Sequence, residues 1–144
     1  FLWKVWEQGH IGLYIDEGYM MPNRGKSKAF QGILTQGRSK YIPVVILSQR
    51  PVWLSRFAIS ESDFYQVFWM NDKEDRKTVE RFLPESIEDR LAPYHSWWYD
   101  VQRDLMVELG PVRDLDKIIG WVNSRLEIMR EVEEFDARER PRVL

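Results

Sequence analysis

The chain has 144 residues, a formal net charge of −2 and 14% aromatic residues, which allows one domain with a sizeable core and argues against disorder. It has no cysteine, and its two isolated histidines lack metal-ligand spacing, which excludes a disulfide framework and a thiolate metal site. No apolar run approaches the roughly 20 residues of a membrane span, and the first residues lack the pattern of a signal peptide.

Residues 2–8 have apolar side chains at helical spacing and are followed by Gly9, which predicts the end of a helix. The next run, from Ile11 to Ile15, is short and apolar, and it is followed at once by Asp16 and Glu17. Such a run predicts a buried strand of a parallel sheet, and ligands bind just beyond the carboxyl ends of such strands.

Because strand side chains alternate, we expect Asp16 and Glu17 to point in opposite directions, one towards a metal ion and the other towards a water molecule. Nucleotide hydrolysis needs both, since phosphoryl transfer depends on a metal ion that neutralises charge and on a residue that positions the attacking water. The alternative is that the two acids begin a turn or a helix after the strand.

The stretch from Gly18 to Ser60 contains no acid and seven cations: Arg24, Lys26, Lys28, Arg38, Lys40, Arg50 and Arg56. This segregation suggests a face that meets a polyanion, either nucleotide phosphates or a nucleic-acid backbone. The alternative is a basic surface that the acidic tail balances. In the loop after Glu17 we expect Arg24, Lys26 and Lys28 to contact nucleic-acid phosphates, unless they are solvated surface cations.

The triplet Gly25-Lys26-Ser27 resembles the end of a phosphate-binding P-loop. The first glycine of that motif would fall at Met20, and no apolar strand leads directly into the triplet. We therefore interpret it as part of the basic loop and not as a P-loop.

A helix is predicted over residues 27–40, with Arg38 off its apolar stripe and projecting outwards. A second buried strand follows over residues 42–51 and ends in polar residues that include Gln49. A strand, a helix and a strand in this length form a right-handed βαβ unit, so the two strands are parallel. Gln49 is then expected at the same sheet edge as Asp16 and Glu17, where its amide can bond a water or a γ-phosphate.

The remaining chain predicts a third strand at residues 64–70, a helix through Leu83 capped by Asn71 or Asp72, a β-hairpin at residues 96–109, and a terminal helix at residues 115–135. The fold class is α/β: a mostly parallel sheet with flanking helices, followed by a hairpin and a charged helix. We expect a boundary between a core of residues 1–95 and a C-terminal part of residues 96–144.

Several of these motifs occur together in a known family. They are the apolar strand that ends in Asp16-Glu17, the Gln36-Gly37-Arg38 helix end, and V-V-I-L-S-Q-R-P at residues 44–51, followed by Q-V-F-W at residues 66–69 and D-R-K-T-V at residues 75–79. Over residues 11–83 the chain resembles the C-terminal half of the P-loop motor domain in the FtsK/HerA superfamily of DNA-pumping ATPases. That superfamily includes chromosome translocases and the genome-packaging ATPases of some viruses.

The resemblance implies a RecA-like sheet and assigns roles to the residues that match its motifs. Asp16 would be the Walker B aspartate that holds Mg²⁺ through its water shell, and Glu17 would orient and deprotonate the hydrolytic water. Gln49 would be the polar sensor, and Arg38 would be the arginine finger that enters the site of the next subunit. ATP would be the substrate, and the enzyme would be a ring, usually a hexamer, around duplex DNA.

In this family the Walker A P-loop precedes Walker B, and the sequence does not contain it. We therefore expect a fragment of a longer polypeptide, or a P-loop on another chain, and an isolated chain that is inactive. The predicted function is ATP-driven DNA translocation in viral or phage genome packaging. The protein would be cytoplasmic or virion-associated, with a capsid or membrane-vertex protein as partner. The alternatives are a non-catalytic assembly domain derived from an ATPase, and another P-loop motor such as a helicase or a secretion ATPase.

Overall fold

The computed structural model describes residues 1–21 and 27–139 and divides the chain into two compact units, Phe1–Gly110 and Pro111–Leu144. In chain order the elements are α1 (Leu2–Gln8), β1 (Leu13–Ile15), α2 (Lys28–Gln36), β2 (Val44–Ile46), α3 (Arg56–Ser60), β3 (Phe64–Phe68), α4 (Lys73–Glu80), β4 (Ser96–Asp100), β5 (Leu105–Leu109) and α5 (Leu115–Glu139). Short 3₁₀ turns cover Gly18–Met20, Gly37–Lys40 and Pro51–Trp53.

The first βαβ unit has the predicted form. β1 pairs with β2 in parallel, with Leu13 opposite Val44 and Ile15 opposite Ile46. The connecting helix α2 begins after Ser27, whose Oγ accepts a hydrogen bond of 3.2 Å from the backbone N–H of Phe30. This side chain satisfies one of the amide groups that a helix start leaves without an intrahelical partner. The parallel sheet with flanking helices, predicted from the sequence, is thus confirmed.

One face of this sheet is covered and the other is open. On the covered face, α1 and α2 pack against the strands around a cluster of buried aliphatic side chains: Val5, Leu13, Ile33 and Ile42. On the other face, Tyr14 and its register partner Val45 are 70% and 50% exposed. Parallel sheets are normally buried on both faces, so this open apolar face is unusual.

The second sheet is antiparallel, in the order β3-β4-β5. The predicted hairpin is present as β4 and β5, and β4 pairs with β3 from Phe64 opposite Asp100 to Phe68 opposite Ser96. Beneath the sheet lies a second core cluster, in which Val67, Val79 and Ile87 are buried. The hairpin therefore belongs to the same unit as residues 1–95, and the unit ends after Gly110, because the ladder to β3 ties β4 to the core.

A groove of about 1550 Å³ separates the two sheets, lined on one side by β2 and on the other by β3. Within the described ranges each of these strands is hydrogen-bonded along one edge, β2 to β1 and β3 to β4. The groove walls carry the apolar side chains Leu47, Phe64 and Phe68, which are 41%, 53% and 53% exposed.

The second unit contains α5, which begins behind Asp114 and runs four residues beyond the predicted end at Phe135. Asp114 Oδ1 accepts a hydrogen bond of 3.0 Å from the N–H of Lys117, as an N-cap side chain does. None of the helices in the described residues is long and apolar enough to span a bilayer.

Candidate functional site

The acids that follow β1 lie on a sharp turn. β1 ends at Ile15, and Glu17 has a left-handed backbone with φ 52° and ψ 53°. A residue with a Cβ adopts this region at a cost of roughly 1–3 kcal/mol, and such strain is concentrated at functional sites. The expected strand-like alternation of Asp16 and Glu17 is wrong, because both residues lie beyond the strand and the left-handed turn sets the direction of the Glu17 side chain.

Gly18 allows this turn to lie directly against β2. Its N–H donates a hydrogen bond of 2.7 Å to the carbonyl oxygen of Leu47. A Cβ at this position would lie 2.3 Å from Ile46 Cγ2 and 3.3 Å from the Leu47 carbonyl oxygen. The absence of a side chain at Gly18 is therefore what brings Glu17 next to the end of β2.

Glu17 and Gln49 meet across the two strand ends, although 32 residues separate them in the chain. Gln49 Nε2 donates a hydrogen bond of 3.2 Å to Glu17 Oε1. Glu17 Oε2 is buried and receives no hydrogen bond from the described part of the chain. An unsatisfied buried acceptor costs about 1–3 kcal/mol, so this oxygen is poised to accept a hydrogen bond from a bound molecule.

Asp16 is exposed beside this pair, and its Oδ1 accepts a hydrogen bond of 2.9 Å from the N–H of Glu17. The described residues contain no group of three acids or histidines able to hold a metal ion by themselves. Two adjacent carboxylates fit Mg²⁺ nonetheless, because this ion usually takes one or two protein carboxylates and completes its shell with water and substrate phosphates.

Arg38 lies on the 3₁₀ turn Gly37–Lys40 and is remote in its contacts from the acids. Its guanidinium Nη2 lies 2.5 Å from Asp63 Oδ1, and its side chain is 85% exposed. The structure thus brings Glu17 and Gln49 together and gives Arg38 a carboxylate partner elsewhere in its own chain. An exposed ion pair of this kind contributes about 0–1 kcal/mol, so Arg38 is free to exchange Asp63 for another anion.

Of the three residues predicted to contact nucleic-acid phosphates, the structure describes Lys28. Arg24 and Lys26 lie outside the described residues. Lys28 is the first residue of α2, and its side chain is exposed.

The sequence reasoning missed an ion pair directly behind Gln49. Arg50 Nε lies 2.8 Å from Oδ2 of Asp75, whose side chain is 1% exposed, although the N–H is not aligned with that oxygen. A signal for it was present, because Asp75 stands four residues before Val79 on the buried stripe of the predicted helix. A buried acid requires a cationic partner, and Arg50 is the arginine beside the predicted sensor.

Asp72 lies at the start of the same helix. Its Oδ1 accepts hydrogen bonds of 2.9 Å and 3.2 Å from the N–H groups of Glu74 and Asp75. These donors, together with the positive charge of Arg50, hold the pKa of the Asp72 carboxyl below its ordinary value. Of the two predicted caps, Asn71 and Asp72, the structure uses Asp72.

The close approach at Gly18 leads to a testable prediction. We expect Gly18→Ala to lower the free energy of unfolding of the complete gene product by about 1–3 kcal/mol, because the new methyl group overlaps Ile46 Cγ2. Chemical denaturation followed by tryptophan fluorescence measures the loss. The double variant Gly18→Ala/Ile46→Ala should lose less than the sum of the two single variants, because removing Ile46 Cγ2 relieves the overlap.

Gly32→Ala is the matched control. A Cβ at Gly32, inside α2, would lie 3.9 Å from the Trp6 ring, which is an ordinary contact. We expect this variant to be as stable as the parent or more stable by about 0.5–1 kcal/mol. Strict additivity of Gly18→Ala and Ile46→Ala would contradict the packing argument.

Comparison with known proteins identifies relatives of the chain. It is 50% identical to the DNA packaging ATPase P9 of Enterobacteria phage PRD1 in an alignment 129 residues long, which covers 83% of this chain and 56% of that protein. The chain therefore spans little more than half the length of the curated relative that it matches. No protein-family model matches it.

Solved structures with the same fold come from viral proteins. The genome packaging NTPase B204 of Sulfolobus turreted icosahedral virus 2, in complex with AMPPCP, has a TM-score of 0.64 at 19% identity over 78% of this chain and 58% of B204. The DNA-packaging ATPase B204 of Sulfolobus turreted icosahedral virus has a TM-score of 0.64 at 20% identity over 78% and 57% of the two chains. The chain is thus a homologue of the phage DNA packaging ATPase P9 over about half of that protein's length, and it has the fold of the viral genome packaging NTPase B204.

Proposed function

We propose that this chain is the part of an ATP-driven DNA-packaging motor that carries the hydrolytic residues. The observation that supports this most directly is the pair formed by Glu17 and Gln49, with Glu17 Oε2 buried and available. The relationship to P9 supports the setting, viral genome packaging.

In this proposal Glu17 is the general base. Gln49 occupies Oε1, which leaves Oε2 to accept a hydrogen bond from the attacking water and then its proton. The side-chain amide of Gln49 carries two N–H donors and a carbonyl oxygen, so it can hold Glu17 and contact the water or the γ-phosphate at the same time. Phosphoryl transfer is catalysed mainly by such positioning and by charge stabilisation.

Asp16 would contribute to nucleotide binding through a Mg²⁺ ion that is bound to the phosphates of ATP. When bound there, the ion would supply positive charge that offsets the negative charge of the phosphate oxygens. Asp16 is exposed beside Glu17 and would hold the ion through its water shell. In this proposal the acid for the metal and the acid for the water are consecutive residues that follow the end of β1, so they are not strand neighbours.

The groove between the two sheets supports the proposal that a further strand, leading into a P-loop, completes the fold. A strand with side chains on both faces occupies about 160 Å³ per residue, from a rise of ~3.3 Å, a strand spacing of ~4.8 Å and a thickness of ~10 Å. The groove of about 1550 Å³ therefore has room for roughly ten residues, a strand and part of its connection. β2 and β3 each have one edge without a partner strand among the described residues, and these edges would supply the hydrogen bonds.

The occupant that we propose is another part of the same gene product. The chain corresponds to 56% of the length of P9, so a relative of that size has enough further residues to fill the groove and to cover the open face. Tyr14 and Val45 would then become buried, as residues of parallel sheets normally are.

Arg38 is proposed to act in a ring of subunits, hexameric in the family that the sequence resembles. Its side chain is 85% exposed and its partner Asp63 is itself 57% exposed, so the cost of releasing it is small. A guanidinium with this exposure can enter the nucleotide site of a neighbouring subunit and stabilise the transferring phosphoryl group.

We propose that the motor moves DNA, in agreement with the name of the relative, the DNA packaging ATPase P9. The basic residues Arg24, Lys26 and Lys28 remain the proposed phosphate contacts, since they stand between the strand that bears Glu17 and the helix that leads to Arg38. A packaging role places the protein in the cytoplasm of the infected cell or on the virion, with a capsid or membrane-vertex protein as its docking partner.

The proposal that a further segment covers the open face predicts the effect of a charge at Val45. We expect Val45→Asp to destabilise the complete gene product by at least about 2 kcal/mol, because a covering segment would desolvate the carboxylate. The control is Val112→Asp, at a valine that is 65% exposed, where a change of less than about 0.5 kcal/mol is expected. Equal, small effects in chemical denaturation would show that the face at Val45 stays open to water.

The assignment of Glu17 is tested by Glu17→Gln in the complete gene product. The amide keeps the size of the side chain but cannot take the proton of the water, so kcat for ATP hydrolysis should fall about 10²–10⁴-fold. The affinity for ATP, measured by fluorescent-nucleotide titration, should remain close to that of the parent.

Glu85→Gln, at an exposed glutamate far along the chain, should leave kcat unchanged. If Glu17→Gln kept more than about a tenth of the parent turnover, the acid would not be the general base. A parent protein that bound DNA or partners without any ATPase activity would favour the assembly-domain alternative.

The proposed role of Arg38 is tested by mixing variants. Arg38→Ala should abolish hydrolysis in the assembled ring without weakening the ATP affinity of a subunit. Rings made from Arg38→Ala and Glu17→Gln subunits in equal amounts should regain activity at about a quarter of their sites, since each restored site takes Glu17 from one subunit and Arg38 from the next.

Asp63→Ala is the control for the contact within the chain. It removes the partner that Arg38 has in the structure, and hydrolysis should persist if the functional partner of Arg38 is the nucleotide of a neighbour. Failure of the mixed rings to regain activity at any ratio would mean that Arg38 does not act between subunits.

A further inference from the structure

The segment after β2 is attached to the first turns of α4 by one buried carboxylate. Asp75 Oδ2 lies 2.8 Å from Arg50 Nε, and Asp75 Oδ1 accepts a hydrogen bond of 3.0 Å from the N–H of Val52. The Asp75 side chain is 1% exposed, whereas that of Arg50 is 38% exposed. Both oxygens of a buried acid thus reach the residues that immediately follow Gln49.

Gln49 lies within a short stretch of backbone that is fixed on both sides. Behind it, Ser48 Oγ accepts a hydrogen bond of 3.1 Å from the N–H of Arg50, which closes a tight turn around Gln49. Ahead of it, Arg50 and Val52 are held by Asp75. The amide of Gln49 therefore reaches Glu17 from a backbone whose position α4 determines.

The guanidinium of Arg50 has two further contacts that limit its movement. Its carbon Cζ lies 4.5 Å from the centre of the Trp53 ring, as in a cation–π contact. Its Nη2 lies 3.5 Å from Asp72 Oδ2. The planar guanidinium is thus held by a ring and by two carboxylates, an arrangement that the compact ammonium of lysine does not reproduce.

Helix α4 does not need the Asp75 carboxylate for its own formation. Asp72 already caps the helix start with hydrogen bonds to the N–H groups of Glu74 and Asp75. A buried ion pair is also a poor source of net stability, since desolvation offsets much of the attraction. We conclude that the main contribution of Asp75 is to fix the position of the segment after β2.

We infer that Arg50 and Asp75 are positioning residues for hydrolysis, which hold Gln49 in hydrogen-bonding reach of Glu17. The inference rests on the proposed function, because it concerns the step that Glu17 and Gln49 carry out. Arg50 and Asp75 would not touch the reacting atoms themselves. Both would act through the position of Gln49. A small displacement of the Gln49 backbone would lengthen its 3.2 Å contact with Glu17 and misplace the water.

The test is steady-state kinetics on the complete gene product with Asp75→Asn. The asparagine keeps an acceptor for the N–H of Val52 but removes the negative charge that holds Arg50. We expect kcat for ATP hydrolysis to fall about 10–100-fold, the range found when supporting residues of a site are lost. KM for ATP should stay within about threefold, because the residues displaced act on the water and not on nucleotide binding.

A double-variant cycle separates positioning from a general loss of structure. In a Gln49→Ala background, Asp75→Asn should lower kcat by no more than about twofold further, because the group that it positions is already absent. A loss of the same factor in both backgrounds, or a Gln49→Ala variant with parental kcat, would overturn the inference. Lys77→Ala is the matched control: it removes an exposed ion pair with Glu74 on the same helix and should leave kcat unchanged.

Arg50→Lys covers the case in which Asp75→Asn fails to fold. Lysine keeps the positive charge beside the buried acid but lacks the planar guanidinium, so kcat should fall while the thermal unfolding temperature stays near that of the parent. An unchanged kcat in Arg50→Lys would also overturn the inference. Normal turnover in Glu17→Gln would instead defeat the proposed function. An inactive Glu17→Gln with a fully active Asp75→Asn would defeat this inference alone.

Discussion

The parallel ladder between β1 and β2 continues past the ends of both strands, and the candidate site depends on that continuation. The N–H of Leu47 donates a hydrogen bond of 2.9 Å to the carbonyl oxygen of Ile15. The N–H of Gly18 donates a hydrogen bond of 2.7 Å to the carbonyl oxygen of Leu47. These two hydrogen bonds fix the turn that contains Glu17 against the segment after β2 that contains Gln49. A slip of one residue would turn every strand side chain to the opposite face, so register and site are specified together.

The second sheet acts on the site through a helix. The buried face of α4 packs Val79 against Val67 and Ile87 beneath β3, while Asp75 on the same face reaches the segment after β2. A single helix therefore has an apolar contact with one sheet and a charged contact with the strand end of the other. Because protein interiors are closely packed and transmit small shifts, a displacement of α4 would be felt at Gln49.

The described chain leaves two strand edges and one sheet face of the first unit uncovered. Strand edges of β2 and β3 that lack partners in the described chain, and the exposed face around Tyr14 and Val45, are surfaces that folded α/β proteins normally cover. Their position beside the turn that carries Glu17 fits the proposed motor, in which the proposed catalytic acids and a nucleotide-binding loop would lie on separate stretches of chain.

Local patterns in the sequence determined the strands, the helix caps, the hairpin and the presence of acids and an amide at neighbouring strand ends, because apolar periodicity and capping residues act over a few positions. The tertiary structure decided the rest. The left-handed turn at Glu17 exists because Gly18 lies against Ile46, and the pairing of Arg50 with Asp75 joins residues 25 positions apart. The sequence contained Asp75 on a buried helical face but not the identity of its partner, because a buried charge is satisfied by whichever cation the packing of distant elements brings within reach.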